Sequence, residues 1–272
     1  MQLFRKTRGV LVQNNRVLKY CLYAIGEIIL VVIGILIALQ VNNWNIERTN
    51  TKQETNILLQ LKQEYTENLR EIEQKIEIRY AMNTSIRTLI KYSDEGFEGT
   101  SLDTVYHHIQ QTFYNPTFDG PTGVTDDLLS SGKLYLLKND ELRNLLTNWS
   151  GTTIKVTEEE QFMVNHILPK YQDYTNKNYD KRKLSSSNEQ SGLGTDLYLN
   201  NMAISVESIE KARITESFWQ ADRKEFSKLI NDKVIINYQV DIFRKNLLAN
   251  DQSFGLKLKI QKILSLIEEG LK

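Results

Sequence analysis

Twenty-two residues from Tyr20 to Val41, YCLYAIGEIILVVIGILIALQV, contain one charged side chain, Glu27. As a helix this run reaches about 33 Å, enough to cross a bilayer hydrocarbon core. Tyr20 and Tyr23 stand at one end and Trp44 just past the other, where amphipathic rings favour the membrane–water interface. A cleavable signal peptide would show a shorter apolar run and a small-x-small cleavage site. Here the run continues to Leu39, and Ala38-Leu39-Gln40 makes a poor site. A buried core helix is usually shorter as well. The pattern therefore predicts a single-pass transmembrane helix over 20–41, a basic tail over 1–19 and one domain over 42–272.

The charges are balanced overall, with 34 basic and 34 acidic residues, but unevenly placed. The first 19 residues carry Arg5, Lys6, Arg8, Arg16 and Lys19 and no acid, whereas 42–60 carry only Arg48 and Lys52 as cations. Basic flanks stay on the cytoplasmic side. This places the N-terminus inside and the large domain outside. The tail also mixes Phe4, Leu11, Val17 and Leu18 among its cations. It reads either as an ordinary positive-inside flank or as a segment lying along an anionic leaflet. Residues 42–272 retain 29 basic and 33 acidic residues, with no dense basic face of the kind nucleic acid requires. The one cysteine, Cys21, opens the apolar run, so the outer domain is expected to be held by its core without disulfides.

Glu27, Leu30, Gly34 and Ala38 share one helix face. Gly34 and Ala38 form a small-xxx-small pair that permits close helix approach, and an intramembrane carboxylate is costly unless paired, protonated or hydrated. Three readings stand for Glu27: a snorkelling or protonated side chain near the interface, a packing or assembly contact with Gly34 and Ala38, and an ion relay. The assembly reading implies a membrane-protein partner or a homo-oligomer.

The run YAIGEIILVVIGILIALQVNNWN, Tyr23 to Asn45, resembles the N-terminal signature of an uncharacterised family of bacterial single-span envelope proteins. A second stretch, LLSSGKLYLLKNDELRNLLTNW from Leu128 to Trp149, resembles the same family more diffusely. The resemblance implies a short basic tail, one span, a helical remainder and a bacterial origin. It brings no activity with it.

Beyond the span the fold class expected is all-α, an elongated antiparallel helical bundle with coiled-coil-like packing. Ile57, Leu61, Tyr65, Leu69, Ile72, Ile76, Ile86 and Ile90 recur at helical spacing, which predicts one helix of about 70 Å running to Gly96. Ser101 is placed to cap a helix through Phe113, and Thr125 to cap another that Gly132 ends. Asn139 should cap a long helix that Pro169 kinks or ends. A long mobile loop is expected over 176–203, then a helical region from Ala221 to Gly270 with a break near Asp251 to Gly255.

No residue set makes an enzyme of this chain, and no metal or cofactor is expected. His107 and His108 are adjacent, so on a helix they point about 100° apart. His166 has Met163 where a di-iron bundle needs glutamate. Glu158-Glu159-Glu160 reads as a solvated face. Asp126 and Asp127 beside Asp119 read as helix-cap acids more simply than as cation ligands. Phe113, Tyr114, Phe118 and Trp149, around the irregular Pro116–Gly123 segment, form the candidate ligand or partner surface. The leading expectation is a membrane-anchored scaffold or interaction protein. The alternative is a ligand-binding, sensor-like helical domain that signals through a partner.

Overall fold

The computed structural model describes residues 16–185 and 220–272; of the loop expected over 176–203, residues 186–203 lie outside the described part, as does most of the basic tail. Every regular element described is helical. In chain order they are α1 (Arg16–Glu95), α2 (Leu102–Gln111), α3 (Gly123–Ser130), a 3-10 turn (Lys133–Leu136), α4 (Asp140–Thr147), α5 (Trp149–Val156), α6 (Glu158–Phe162), a π-helical turn (Met163–Ile167), α7 (Leu168–Asn178), α8 (Arg223–Ile230) and α9 (Lys233–Gly270). By contact the chain divides into two units, 1–57 and 58–272.

In the first unit, Ile25 through Ile46 are exposed throughout. From Ala24 this helix is long and apolar enough to cross a membrane, and its most apolar window has a mean hydropathy of 2.6 with none of it buried.

The second unit has an apolar core. Leu61, Tyr65, Ile72, Ile76 and Ile86 of the predicted α1 stripe are buried, with Ile57, Leu69 and Ile90 half-buried at its margins. Met82, Ile86 and Leu89 pack with Val105 and Ile109 of α2, Tyr171 of α7, Phe226 and Leu229 of α8, and Ile235 and Ile242 of α9. Polar pairs join α1 to α9: Lys62 with Glu268 at 2.9 Å, Lys257 with Glu73 at 2.9 Å, and Asn246 Nδ2 donating to Asn83 Oδ1 at 3.0 Å.

Several helix ends fall where expected. Gly96 closes α1 at φ 86°, its N–H bonded to the Tyr92 carbonyl at 3.0 Å. Ser101 caps α2 by accepting the Thr104 N–H, and Asn139 caps α4 by accepting that of Leu142. Gly132 follows α3 in the left-handed region at φ 68°.

Others differ. Thr125 is not a cap: α3 starts at Gly123 and Thr125 lies buried inside it. The helix begun at Asn139 is segmented at Asn148 and Thr157 before the π-helical turn. Pro169 has no N–H and its ring crowds the carbonyl four residues back. The π turn re-spaces the backbone ahead of it, so Pro169 sits in the first turn of α7 and starts a helix where it was expected to end one. Residues 176–178 belong to α7. The expected break at 251–255 is absent, since α9 is continuous to Gly270. The break falls instead at Asn231-Asp232, where the Asp232 carboxylate accepts the Val234 and Ile235 N–H groups. It also accepts the hydroxyls of Tyr174, at 2.9 Å, and Tyr179, so this cap ties α9 to α7 and the turn behind it.

Two glycines should respond oppositely to alanine. Gly132 needs a left-handed backbone, so Gly132→Ala should lower stability by about 1 kcal/mol. Gly255 lies inside α9 with nothing within 4 Å of an added Cβ, so Gly255→Ala should raise it by about 0.5–1 kcal/mol. Urea denaturation of the detergent-solubilised chain checks both. Destabilisation by Gly255→Ala would contradict a continuous α9.

Candidate functional site: a loop clamped along α1

The irregular segment between α2 and α3 is held by a file of polar side chains on one face of α1. Glu64, Asn68, Glu71, Lys75 and Arg79 follow one another at helical steps of four, three, four and four, and all are buried. Their partners descend along the loop as the file ascends the helix.

Glu64 meets the start of α3. Its Oε2 accepts the Val124 N–H at 2.6 Å, and its Oε1 accepts the Thr125 N–H at 3.1 Å and the Thr125 hydroxyl at 2.6 Å. Thr122, the residue before α3, makes no side-chain cap bond. A carboxylate from another helix therefore satisfies the first-turn donors and meets the positive end of the α3 dipole. Asn68 Nδ2 donates to the Pro121 carbonyl at 2.8 Å. Gly120 passes so close that an added Cβ would lie 1.9 Å from Asn68 Oδ1 and 2.6 Å from Phe118 Cζ; only glycine fits without displacement. Glu71 Oε1 accepts the Asp119 N–H at 3.0 Å, and Lys75 Nζ lies 3.5 Å from Glu71 and 3.9 Å from the Asp119 carboxylate.

Arg79 closes the file, fully buried. Its Nη1 donates to Asn250 Oδ1 at 3.1 Å and Ser253 Oγ at 2.9 Å. Its Nη2 donates to the Pro116 carbonyl at 3.0 Å and to Glu160 Oε1. Glu160 Oε2 in turn accepts the Phe118 N–H at 2.8 Å. One ion pair thus joins α1, α6, α9 and both sides of Pro116–Phe118. The expectation of a solvated face at 158–160 holds for exposed Glu158 but not for Glu160, which is buried because Arg79 waits for it inside.

Burial sets the titration of these groups. It pushes Glu160 up and Arg79 down, each against the attraction of the other. Glu71 is pushed up to about 7, by burial first and then by the facing Asp119 carboxylate, against the pull of Lys75. Loss of water also holds His108 below its ordinary value; its Nδ1 lies 3.1 Å from Ser85 Oγ.

Chemically, the clamp turns its carboxylates and guanidinium onto backbone donors and acceptors rather than outward. Among the described residues no group of three or more His, Cys, Asp or Glu side chains could hold a metal ion.

The residues singled out from sequence are placed as follows. Phe118 and Trp149 are buried, the latter edge-on to Tyr65 at 5.0 Å. Tyr114 is half-buried. Phe113 stacks on Tyr171 with centroids 4.5 Å apart and borders a cavity of about 430 Å³. Glu27, Gly34 and Ala38 are exposed on the apolar helix, with nothing within 4 Å of a Cβ at Gly34. Trp44 is 61% exposed with the Arg48 guanidinium 5.8 Å from its ring. The side chains of Tyr20 and Tyr23 lie outside the described part.

Residues 27–157 match a family of unknown function (DUF6090). The family has no assigned function. The match begins in the apolar helix and takes in both sides of the clamp from Glu64 to Thr125. No curated protein and no solved structure matches the chain.

Two outcomes follow from the clamp. Arg79→Leu, which leaves Glu160 buried and unpaired, should cost about 3–5 kcal/mol, and the double change Arg79→Leu/Glu160→Leu less than the sum of the singles. A double-mutant cycle by denaturant unfolding checks this; additivity would mean the two charges are not coupled. A carboxyl raised in the folded state stabilises below its unfolded value, and that contribution is lost as pH climbs through the folded value. Lowering the pH from about 8 to about 5 should therefore stabilise the wild type relative to Glu71→Gln by about 2 kcal/mol. Melting temperatures of the two proteins across that range give the difference, and parallel profiles would reject the assignment.

Proposed function

We propose that this chain is a membrane-anchored scaffold or interaction protein of the bacterial envelope, a component of a larger membrane complex. The observation that carries this reading is the exposed apolar helix from Ala24 onward, attached to a domain whose polar interior is spent on holding its own backbone. A surface of exposed Ile, Leu and Val over 25–46 is stable only in lipid or against another apolar surface. The five basic residues ahead of it argue for a cytoplasmic N-terminus and an extracytoplasmic domain in the inner membrane.

The domain is read as an antiparallel bundle. In support, the α1–α9 pairs rise on one helix as they fall on the other: 62 with 268, 73 with 257, 79 with 250 and 83 with 246. A locked bundle of this kind suits presentation of a fixed surface. Within the anchor, Glu27, Gly34 and Ala38 form the face proposed to meet a membrane-protein partner or a second copy.

Single cysteines placed along 26–38 in a Cys21→Ser background test the assembly reading by cross-linking in native membranes. Cross-links should peak at 27, 34 and 38. Gly34→Leu should weaken them more than Glu27→Gln, because bulk blocks approach whereas the amide still donates and accepts. Uniform absence of protein cross-links would sink the assembly face. Protection of the domain from protease added to spheroplasts would sink the topology.

A further inference from the structure

The cavity beside Phe113 is a second feature of the domain, separate from the clamp and independent of the scaffold reading. Its volume of about 430 Å³ lies toward the small end of the range typical of ligand pockets. Buried Leu184 and Leu229 form its floor. Two aromatic rings, Tyr106 and Phe113, form walls. Exposed Gln172, Asn176 and Lys181 stand at the mouth, and no carboxylate is among the described lining residues.

The aromatic wall is fixed in place. Phe113 lies flat against Tyr171, their planes 6° apart. Tyr171 is fully buried, its hydroxyl 3.0 Å from Thr112 Oγ1, and Tyr238 backs it at 5.6 Å. One face of Phe113 is thus occupied by Tyr171 while the residue still borders the cavity. On the other wall, Gln110 Nε2 donates to the Tyr106 hydroxyl, which restrains that ring. Rings held this way lose little freedom when a ligand stacks on them.

The chemistry of the lining selects the ligand. Aromatic walls take the apolar face of a ring. Carboxamides at the mouth both donate to and accept from hydroxyl groups. Lys181, with no carboxylate among the described lining residues, favours an anion. We propose that this cavity binds a cyclic, hydroxylated carboxylate, the class of a sugar acid, with its ring against Tyr106 and Phe113 and its carboxylate toward Lys181.

The test uses the full chain in detergent and three probes: glucuronate, uncharged glucose, and benzoate as a ring carboxylate without hydroxyls. Saturation-transfer NMR and calorimetry measure binding. Glucuronate should saturate with a Kd of about 1 mM or tighter. Glucose and benzoate should each bind at least about fivefold more weakly, a difference of about 1 kcal/mol. Lys181→Gln and Gln172→Ala, both exposed positions, should each weaken glucuronate about fivefold or more with the melting temperature unchanged. Phe113→Ala should abolish binding; if it lowers the melting temperature, Phe113→Leu, which keeps the packing volume but removes the ring, takes its place. Lack of saturable glucuronate binding overturns the proposal. So does benzoate or glucose binding as tightly as glucuronate, or equal affinity in Lys181→Gln.

Discussion

The helical domain depends on solving one problem: how to hold a proline- and glycine-containing segment, partly buried at Pro116 and Phe118, that forms few hydrogen bonds of its own. Residues 116–122 make no helix, and unpaired backbone groups away from water cost about as much as a lost hydrogen bond each. The clamp on α1 answers by supplying side-chain acceptors and donors in register with the loop. Glu64, Asn68, Glu71 and Arg79 each take a backbone group of the segment or of the helix it leads into. Charge makes these bonds strong and burial makes them intolerant of loss. The adjoining core could be repacked with other apolar side chains of similar volume, whereas the clamp has no such freedom.

The clamp also binds together parts of the chain that are distant in sequence. Arg79 touches groups from three further regions: Pro116 of the loop, Glu160 of α6, and Asn250 and Ser253 of α9. Its Nε and Asn250 Nδ2 have no partner within the described structure. Buried charges of this sort add less stability than their bond count suggests, because desolvation opposes them. Their effect falls on alternatives: any slip of α9 along α1 would carry Asn250 and Ser253 away from the guanidinium and leave its Nη1 without acceptors.

What was legible in the sequence follows from which signals are local. The apolar run, the α1 stripe through Leu61, Tyr65 and Ile72, the caps at Ser101 and Asn139, and the glycine at 96 are all written within a few residues of where they act. The start of α3 is not, since the group that caps it, Glu64, lies some sixty residues upstream; Thr125 looked like a cap only because its true partner was out of view. Glu160 is hidden from the sequence for the same reason. A run of three glutamates carries no local mark that one of them faces an arginine. A trace of the clamp was present, because Glu64, Asn68, Glu71, Lys75 and Arg79 repeat at the spacing of the apolar stripe itself. Polar residues at core spacing are a sign that something polar is to be buried there. Pro169 and the continuous α9 show the other limit: tertiary contacts override local helix-breaking and helix-weakening residues, at the π turn in one case and across Gly255 in the other.

The reach of Arg79 has a consequence for where this domain can be cut. The stretch that matches the family ends at Thr157, a natural place to truncate on grounds of sequence. It contains Arg79 and Pro116 but stops three residues short of Glu160 and nearly a hundred short of Asn250 and Ser253. A fragment ended there keeps the guanidinium and discards its counter-charge, along with the α9 residues that pair with Lys62, Glu73 and Asn83. The unit of sequence similarity and the unit joined by these contacts are therefore different objects in this protein, since the contacts reach Glu268, near the end of α9.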